Sequence, residues 1–113
     1  MRPESRKYVW DALQAADRIA RFTDGRSLET YQTDDLVRSA VERQFEIIGE
    51  ALSQFRSVDP DAAAGVPELV RIIAFRNILI HGYASVDDRL VWGVVEAKLP
   101  SLRAALGELL KKA

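Results

Sequence analysis

Apolar residues in this sequence recur at every third or fourth position along most of its length, and in no segment do they alternate over the length of a strand. That period belongs to the α-helix, so the chain can bury its apolar side chains only by laying helix faces together. Its 113 residues are one domain's worth of chain. A hydrophobic fraction of 48% is enough to build a core and too much for a disordered segment. The expected fold class is therefore all-α, an up-and-down bundle of four to five helices, with residues 1–113 forming a single domain.

The pattern divides the chain. Residues 5 to 22 read as a first helix, with Ser5 as N-cap and Val9, Ala12, Leu13, Ala16 and Ile19 on one face. Thr23-Asp24-Gly25 stops it. Residues 26 to 33 connect, with room for one helical turn at Leu28 to Tyr31. Residues 34 to 56 form a longer helix whose stripe is Val37, Val41, Ile48, Leu52 and Phe55, flanked by Leu36. Gly49 interrupts it. A mid-helix glycine costs about 1 kcal/mol relative to alanine, which a closely passing neighbour would offset. Ser57 to Gly65 reads as loop.

Pro67 suits the first turn of a third helix ending at His81 and Gly82. Leu69, Ile73 and Ile80 lie on one side of it, Phe75 and Ile78 across from them. A helix apolar nearly all round is buried on more than one side, which in so small a domain implies a partner chain as well as the bundle. Ser85 is placed to cap a fourth helix bearing Leu90, Val91, Val94, Val95 and Leu99, with Trp92 at its edge. Pro100 breaks or kinks it, and Ser101 to Lys112 continue as helix.

Composition excludes several chemistries. There is no Cys, which removes disulfides, thiolate catalysis and cysteine-ligated metals. There is one His, His81, so one chain cannot assemble a site from several imidazoles. Sixteen Lys and Arg against seventeen Asp and Glu leave a net charge of −1, which excludes a polycation but not a local basic patch. No apolar run approaches a membrane span, and the charged N-terminus is unlike a signal peptide. A cytoplasmic location is expected.

The chemistry concentrates in Ile73-Ala74-Phe75-Arg76-Asn77-Ile78-Leu79-Ile80-His81-Gly82-Tyr83. Arg76 and His81 are five positions apart, about 140° around a helix, and can border one cleft without touching. His moves protons near neutral pH, and Arg grips phosphate with a forked pair of hydrogen bonds. Together they suit cleavage of an RNA phosphodiester without metal or other cofactor, the ribose 2′-OH attacking the adjacent phosphorus. One His cannot readily be base and acid in one step; a two-fold dimer supplies a second. The plainer reading has His81 facing the helix dipole and Arg76 paired with Glu42, Glu46 or Glu50. That acidic row can be a solvated face or a Mg²⁺ site. Trp10, Tyr31 and Trp92 can stack bases or fill the core.

Arg76, four residues, His81, any residue and Tyr83 match the motif of the HepT-like branch of the HEPN superfamily, which the sequence resembles. Asn77 after the Arg, Ala40-Val41-Glu42-Arg43, Glu46-Ile47-Ile48-Gly49-Glu50-Ala51, Val86-Asp87, Val91-Trp92 and Leu99-Pro100 extend the resemblance over residues 5 to 110. It implies a HEPN-like all-α homodimer whose paired motifs form a composite ribonuclease cleft, the toxin of a toxin–antitoxin pair. Arg76 and His81 would be catalytic and Asn77 would support them. Tyr83 would receive AMP from a nucleotidyltransferase-fold antitoxin, which silences the enzyme. The alternative function is a non-catalytic dimeric module that binds a nucleotide or the nucleotidyltransferase. Related sequences often carry a Pro-Trp step before the third helix; here the loop Asp61-Ala62-Ala63-Ala64-Gly65-Val66 has none.

Overall fold

The structure, a computed structural model, describes residues 1–82 and 86–112. Within them the chain is helical, with no strand. The helices are α1 (Ser5–Thr23), α2 (Leu28–Gln32), α3 (Asp35–Val58), α4 (Pro60–Ala63), α5 (Leu69–His81), α6 (Asp88–Ala97) and α7 (Leu99–Lys112). None is long and apolar enough to cross a membrane.

The long helix α3 is the centre. It packs along α1 on one side and α5 on another, while α7 closes on α1 and α6 bridges α2 and α7. The α1–α3 seam explains itself from side-chain size. Helix α1 presents Val9, Ala12, Ala15, Ala16 and Ile19, all fully buried, and α3 answers with Val41, Phe45, Ile48, Leu52 and Phe55. Small residues facing large ones let the two helices interdigitate at close range. Phe75 of α5 meets Phe45 edge-on, ring centroids 5.2 Å apart, a favoured aromatic geometry.

The ends differ in places from what periodicity predicts. Ser5 is not the N-cap of α1: Glu4 takes that position, and Ser5 is buried inside the first turn. Its hydroxyl donates to Asp59 Oδ2 at 3.2 Å, and the same oxygen accepts from the Arg2 backbone N–H at 2.7 Å. Asp59 also caps α4 through the Ala62 N–H. A short helix therefore stands inside the expected loop, started by Pro60.

Helix α5 begins at Leu69 and not at Pro67, because Glu68 is left-handed with φ 62°. The carboxylate of Glu68 is held by Lys98 at 3.4 Å and Arg71 at 3.5 Å, contacts that offset the backbone strain. Ser85, the expected cap of α6, lies outside the described residues. The cap of that helix is Asp87, which accepts from the Arg89 N–H at 2.9 Å. Pro100 sits in the first turn of α7, where a missing N–H costs nothing. Trp92 is not at the edge: it is buried, its ring 5.3 Å from that of Tyr31. Leu36 and Leu90, expected to face inward, are exposed in the first turns of α3 and α6.

Candidate active site

Gly49 places the site. A Cβ added there would lie 2.3 Å from Arg76 Cβ, a distance no pair of carbons tolerates. The obstacle is the root of the arginine side chain, not its flexible end, so only glycine lets α5 approach α3 at this level. This is the close neighbour that the mid-helix glycine called for. The next residue, Glu50, then stands beside the guanidinium: Arg76 Nη2 is 2.7 Å from Glu50 Oε2. Arg76 Nη1 donates to Asn77 Oδ1 at 3.2 Å. Arg76 Nε is buried with no hydrogen-bond partner. Of the three glutamates offered to Arg76 by the sequence, the fold selects Glu50.

His81 is the last residue of α5 and is exposed. Gly82 ends the helix with its N–H on the Ile78 carbonyl at 2.8 Å, and a Cβ there would press against that same oxygen. The helical phase separates Arg76 from His81. Arg76 turns toward α3, whereas His81 shares the outer face with Val70, Ala74, Asn77 and Ile78, positions i, i+4, i+7, i+8 and i+11. All five are exposed, Val70 at 68% and Ile78 at 50%. The opposite arc, with Leu69, Ile72, Ile73, Phe75 and Leu79, is buried in the bundle. The expectation that α5 is buried on more than one side is thus met on one side only within this chain. Tyr83 lies outside the described residues.

The other sequence candidates separate. Glu46 pairs with Arg43 at 3.4 Å. Glu42 turns toward Arg38 and Asp88; burial, and then the Asp88 charge, hold its carboxyl above the usual range. Among the described residues no three His, Cys, Asp or Glu side chains come together as a metal-binding group. Tyr31 and Trp92 belong to the core, and burial pushes the Tyr31 hydroxyl well above its ordinary pKa. Trp10 is different, 51% exposed on α1.

Trp10 borders a groove of about 720 Å³ between α1, α3 and α5, whose lining includes Lys7, Arg18, Arg43, Glu50, Arg76 and Ile80. The sequence carries a signal for it: Lys7, Asp11, Gln14 and Arg18 on α1, and Arg43, Ile47, Glu50 and Gln54 on α3, each follow i, i+4, i+7, i+11. Two largely polar stripes of equal period suit two walls of one groove. Taken alone, each passes for a solvated face.

Arg76, on the groove side of α5 and held by Glu50, can grip a phosphate, and His81, at the end of the same helix on its outer face, can exchange protons; within one chain the two do not meet. Comparison with known proteins gives the family. The family model described as "Ribonuclease HepT-like" matches residues 12–109. The chain is 32% identical over 117 residues to a "Probable ribonuclease HepT" of Thermococcus cleftensis, covering 98% of this chain and all of that one. It is 30% identical over 96 residues to a "Putative RNase" of Methanocaldococcus jannaschii, covering 85% and 87% of the two chains. A protein of the same description from Caldanaerobacter subterraneus subsp. tengcongensis is 30% identical over 107 residues, 95% of each. No solved structure matches significantly. A match over most of the chain and relatives aligned nearly end to end place this protein in the HepT-like ribonuclease family.

Proposed function

We propose that the chain is a metal-independent RNA endonuclease that acts as a two-fold homodimer in the cytoplasm, as the toxin of a toxin–antitoxin pair, with residues 1–113 working as one unit. The observation that carries this reading is the outer face of α5, where an exposed apolar strip of Val70, Ala74 and Ile78 runs directly into Asn77 and His81. A second copy laid on this strip would cover apolar surface that one chain leaves in water. It would also bring two His81 side chains to one axis, where one acts as base and the other as acid.

In this mechanism the scissile phosphate sits against Arg76. A guanidinium has five N–H donors, and Glu50 and Asn77 use only part of them, so the fork can hold a phosphoryl oxygen while its carboxylate partner fixes its direction. Asn77 supports the site by engaging Arg76 Nη1. One His81 takes the 2′-OH proton, the oxygen attacks phosphorus, and the other His81 protonates the departing 5′-oxygen. The products are a 2′,3′-cyclic phosphate and a 5′-hydroxyl.

Tyr83, two residues beyond His81, is the proposed point of control. AMP attached there by a nucleotidyltransferase-fold antitoxin would add bulk and negative charge two residues along the chain from His81 and repel an RNA phosphate. The test of the enzymatic reading is incubation of the purified protein with RNA in EDTA, beside His81→Ala and Arg76→Ala. Cleavage by the unmodified protein, lowered about 100-fold or more in each variant, is expected. Equal cleavage by His81→Ala, or strict dependence on added Mg²⁺, refutes it. Control through Tyr83 requires mass gains of whole AMP units with the partner enzyme and ATP, absent in Tyr83→Phe.

A further inference from the structure

We propose that the groove between α1, α3 and α5 is a track for single-stranded RNA, in which an unpaired base stacks on Trp10 and neighbouring backbone phosphates are held by Lys7 and Arg18. The inference rests on the ribonuclease reading and adds to it where the strand lies beyond the scissile phosphate.

Three observations converge. First, Trp10 is a large indole that the core does not use: it is half exposed, while the other tryptophan is buried against Tyr31. An exposed indole beside cations is the usual platform for an unpaired base, because every base offers a flat face of π electrons. Second, the groove's charges are unevenly satisfied. Arg76 is paired with Glu50 and Arg43 with Glu46. Among the described residues Lys7 and Arg18 make no ion pair: Arg18 only donates to the Gln44 side-chain oxygen at 3.4 Å, and Lys7 lies 6.0 Å from the Tyr8 ring centroid. Two unpaired cations flank Trp10 on α1, three residues before it and eight after, with the carboxylate of Asp11 between them. Third, the groove is continuous with the proposed reaction centre, since Arg76 and Ile80 form part of its lining. A strand in this groove therefore runs from a stacking platform to the phosphate-gripping fork.

A duplex does not fit this description. Its bases are already stacked on one another and cannot lie against a single indole, so the ligand is single-stranded.

The test is binding of a fluorescent single-stranded 2′-fluoro RNA, which lacks the attacking hydroxyl and so stays intact on an active enzyme. Trp10→Ala should weaken binding by about 5-fold to 150-fold, the span measured for loss of one stacked base. Lys7→Ala and Arg18→Ala should each weaken it and flatten its salt dependence. The same RNA should shield the exposed tryptophan from iodide quenching. Because Trp10 is exposed, the variant should keep its helical circular dichroism and melting temperature.

Unchanged affinity in Trp10→Ala overturns the track even if the protein cuts RNA normally. Loss of dimer mass in Trp10→Ala also overturns it, by assigning the groove to a second copy of the chain. Absence of any RNA binding by the unmodified protein overturns it as well. Trp10-dependent binding of the 2′-fluoro RNA, with no cleavage of the same sequence carrying 2′-hydroxyls, would uphold the track and remove the ribonuclease reading instead, so the two fail separately.

Discussion

The α1–α3 seam and the outer face of α5 are both apolar helix surfaces, yet they are built to different ends. In the seam, Val9, Ala12, Ala15, Ala16 and Ile19 of α1 and Val41, Phe45, Ile48, Leu52 and Phe55 of α3 are all buried. On the outer face of α5, Val70 and Ile78 stand in water beside Asn77 and His81. The first surface holds the monomer together. The second leaves apolar side chains in water, where the proposed homodimer would cover them. Apolar content alone does not separate the two; the polar residues woven into the strip do.

Substitutions can break this contrast. Phe45→Ala, in the seam and against Phe75, should cost about 3–5 kcal/mol of unfolding free energy by chemical denaturation. Ile78→Ser, followed at concentrations where the chain is monomeric, should stay within about 0.5 kcal/mol. A large loss from Ile78→Ser would mean that the strip packs within its own chain. Between them in size is Gly49→Ala. Its methyl group would collide with Arg76 Cβ, so α5 must shift, with an expected cost of about 1–3 kcal/mol and a fall in RNA cleavage that Ala substitution at an open glycine such as Gly107 would not cause.

Smaller effects appear with pH. The Arg2 backbone N–H, and after it the Ser5 hydroxyl and the Ala62 N–H, hold the Asp59 carboxyl below the usual range. Its contribution is fully present above the unfolded carboxylate pKa of about 3.9 and is lost as pH falls through the lower folded value. Asp59→Asn should therefore melt lower than the parent at pH 7, with the difference vanishing in strong acid. Glu42 has the opposite sign. Burial and the nearby Asp88 raise its folded pKa, so its charge opposes folding at neutral pH. Glu42→Gln should raise the melting temperature slightly at pH 7, and the gain should shrink as pH falls through that raised value. Thermal melts from strong acid to pH 7 check both; a stabilised Asp59→Asn or a destabilised Glu42→Gln at pH 7 would contradict the assignment.

Much of the helical order was legible because periodicity reports which face of a helix is buried. Val41, Ile48, Leu52 and Phe55 follow directly from it. It does not report where a neighbour ends, and so Leu36 and Leu90 read as inward and are exposed. Caps depend on local alternatives: Ser5 satisfies the capping rule, but the long-range carboxylate of Asp59 takes its hydroxyl. Glu68 carries no sequence sign of its left-handed backbone, which its ion pairs with Lys98 and Arg71 make tolerable. At the site, the spacing of Arg76 and His81 was readable and their divergence by 140° follows from it. The selection of Glu50 over Glu42 and Glu46 was not, because it depends on the rotation of α3 against α5 that Gly49 permits. The groove was hidden for a similar reason: its two largely polar stripes lie on helices far apart in sequence.

The central claim is that the outer face of α5 joins two copies and thereby completes the cleft. Ile78→Asp tests it most directly, by sedimentation and RNA cleavage in EDTA on one preparation. A charge in the strip should give a folded monomer that no longer cuts RNA, while the unmodified protein sediments as a dimer and cuts. A monomeric Ile78→Asp protein with full cleavage, or a dimer unaffected by the charge, would contradict the account.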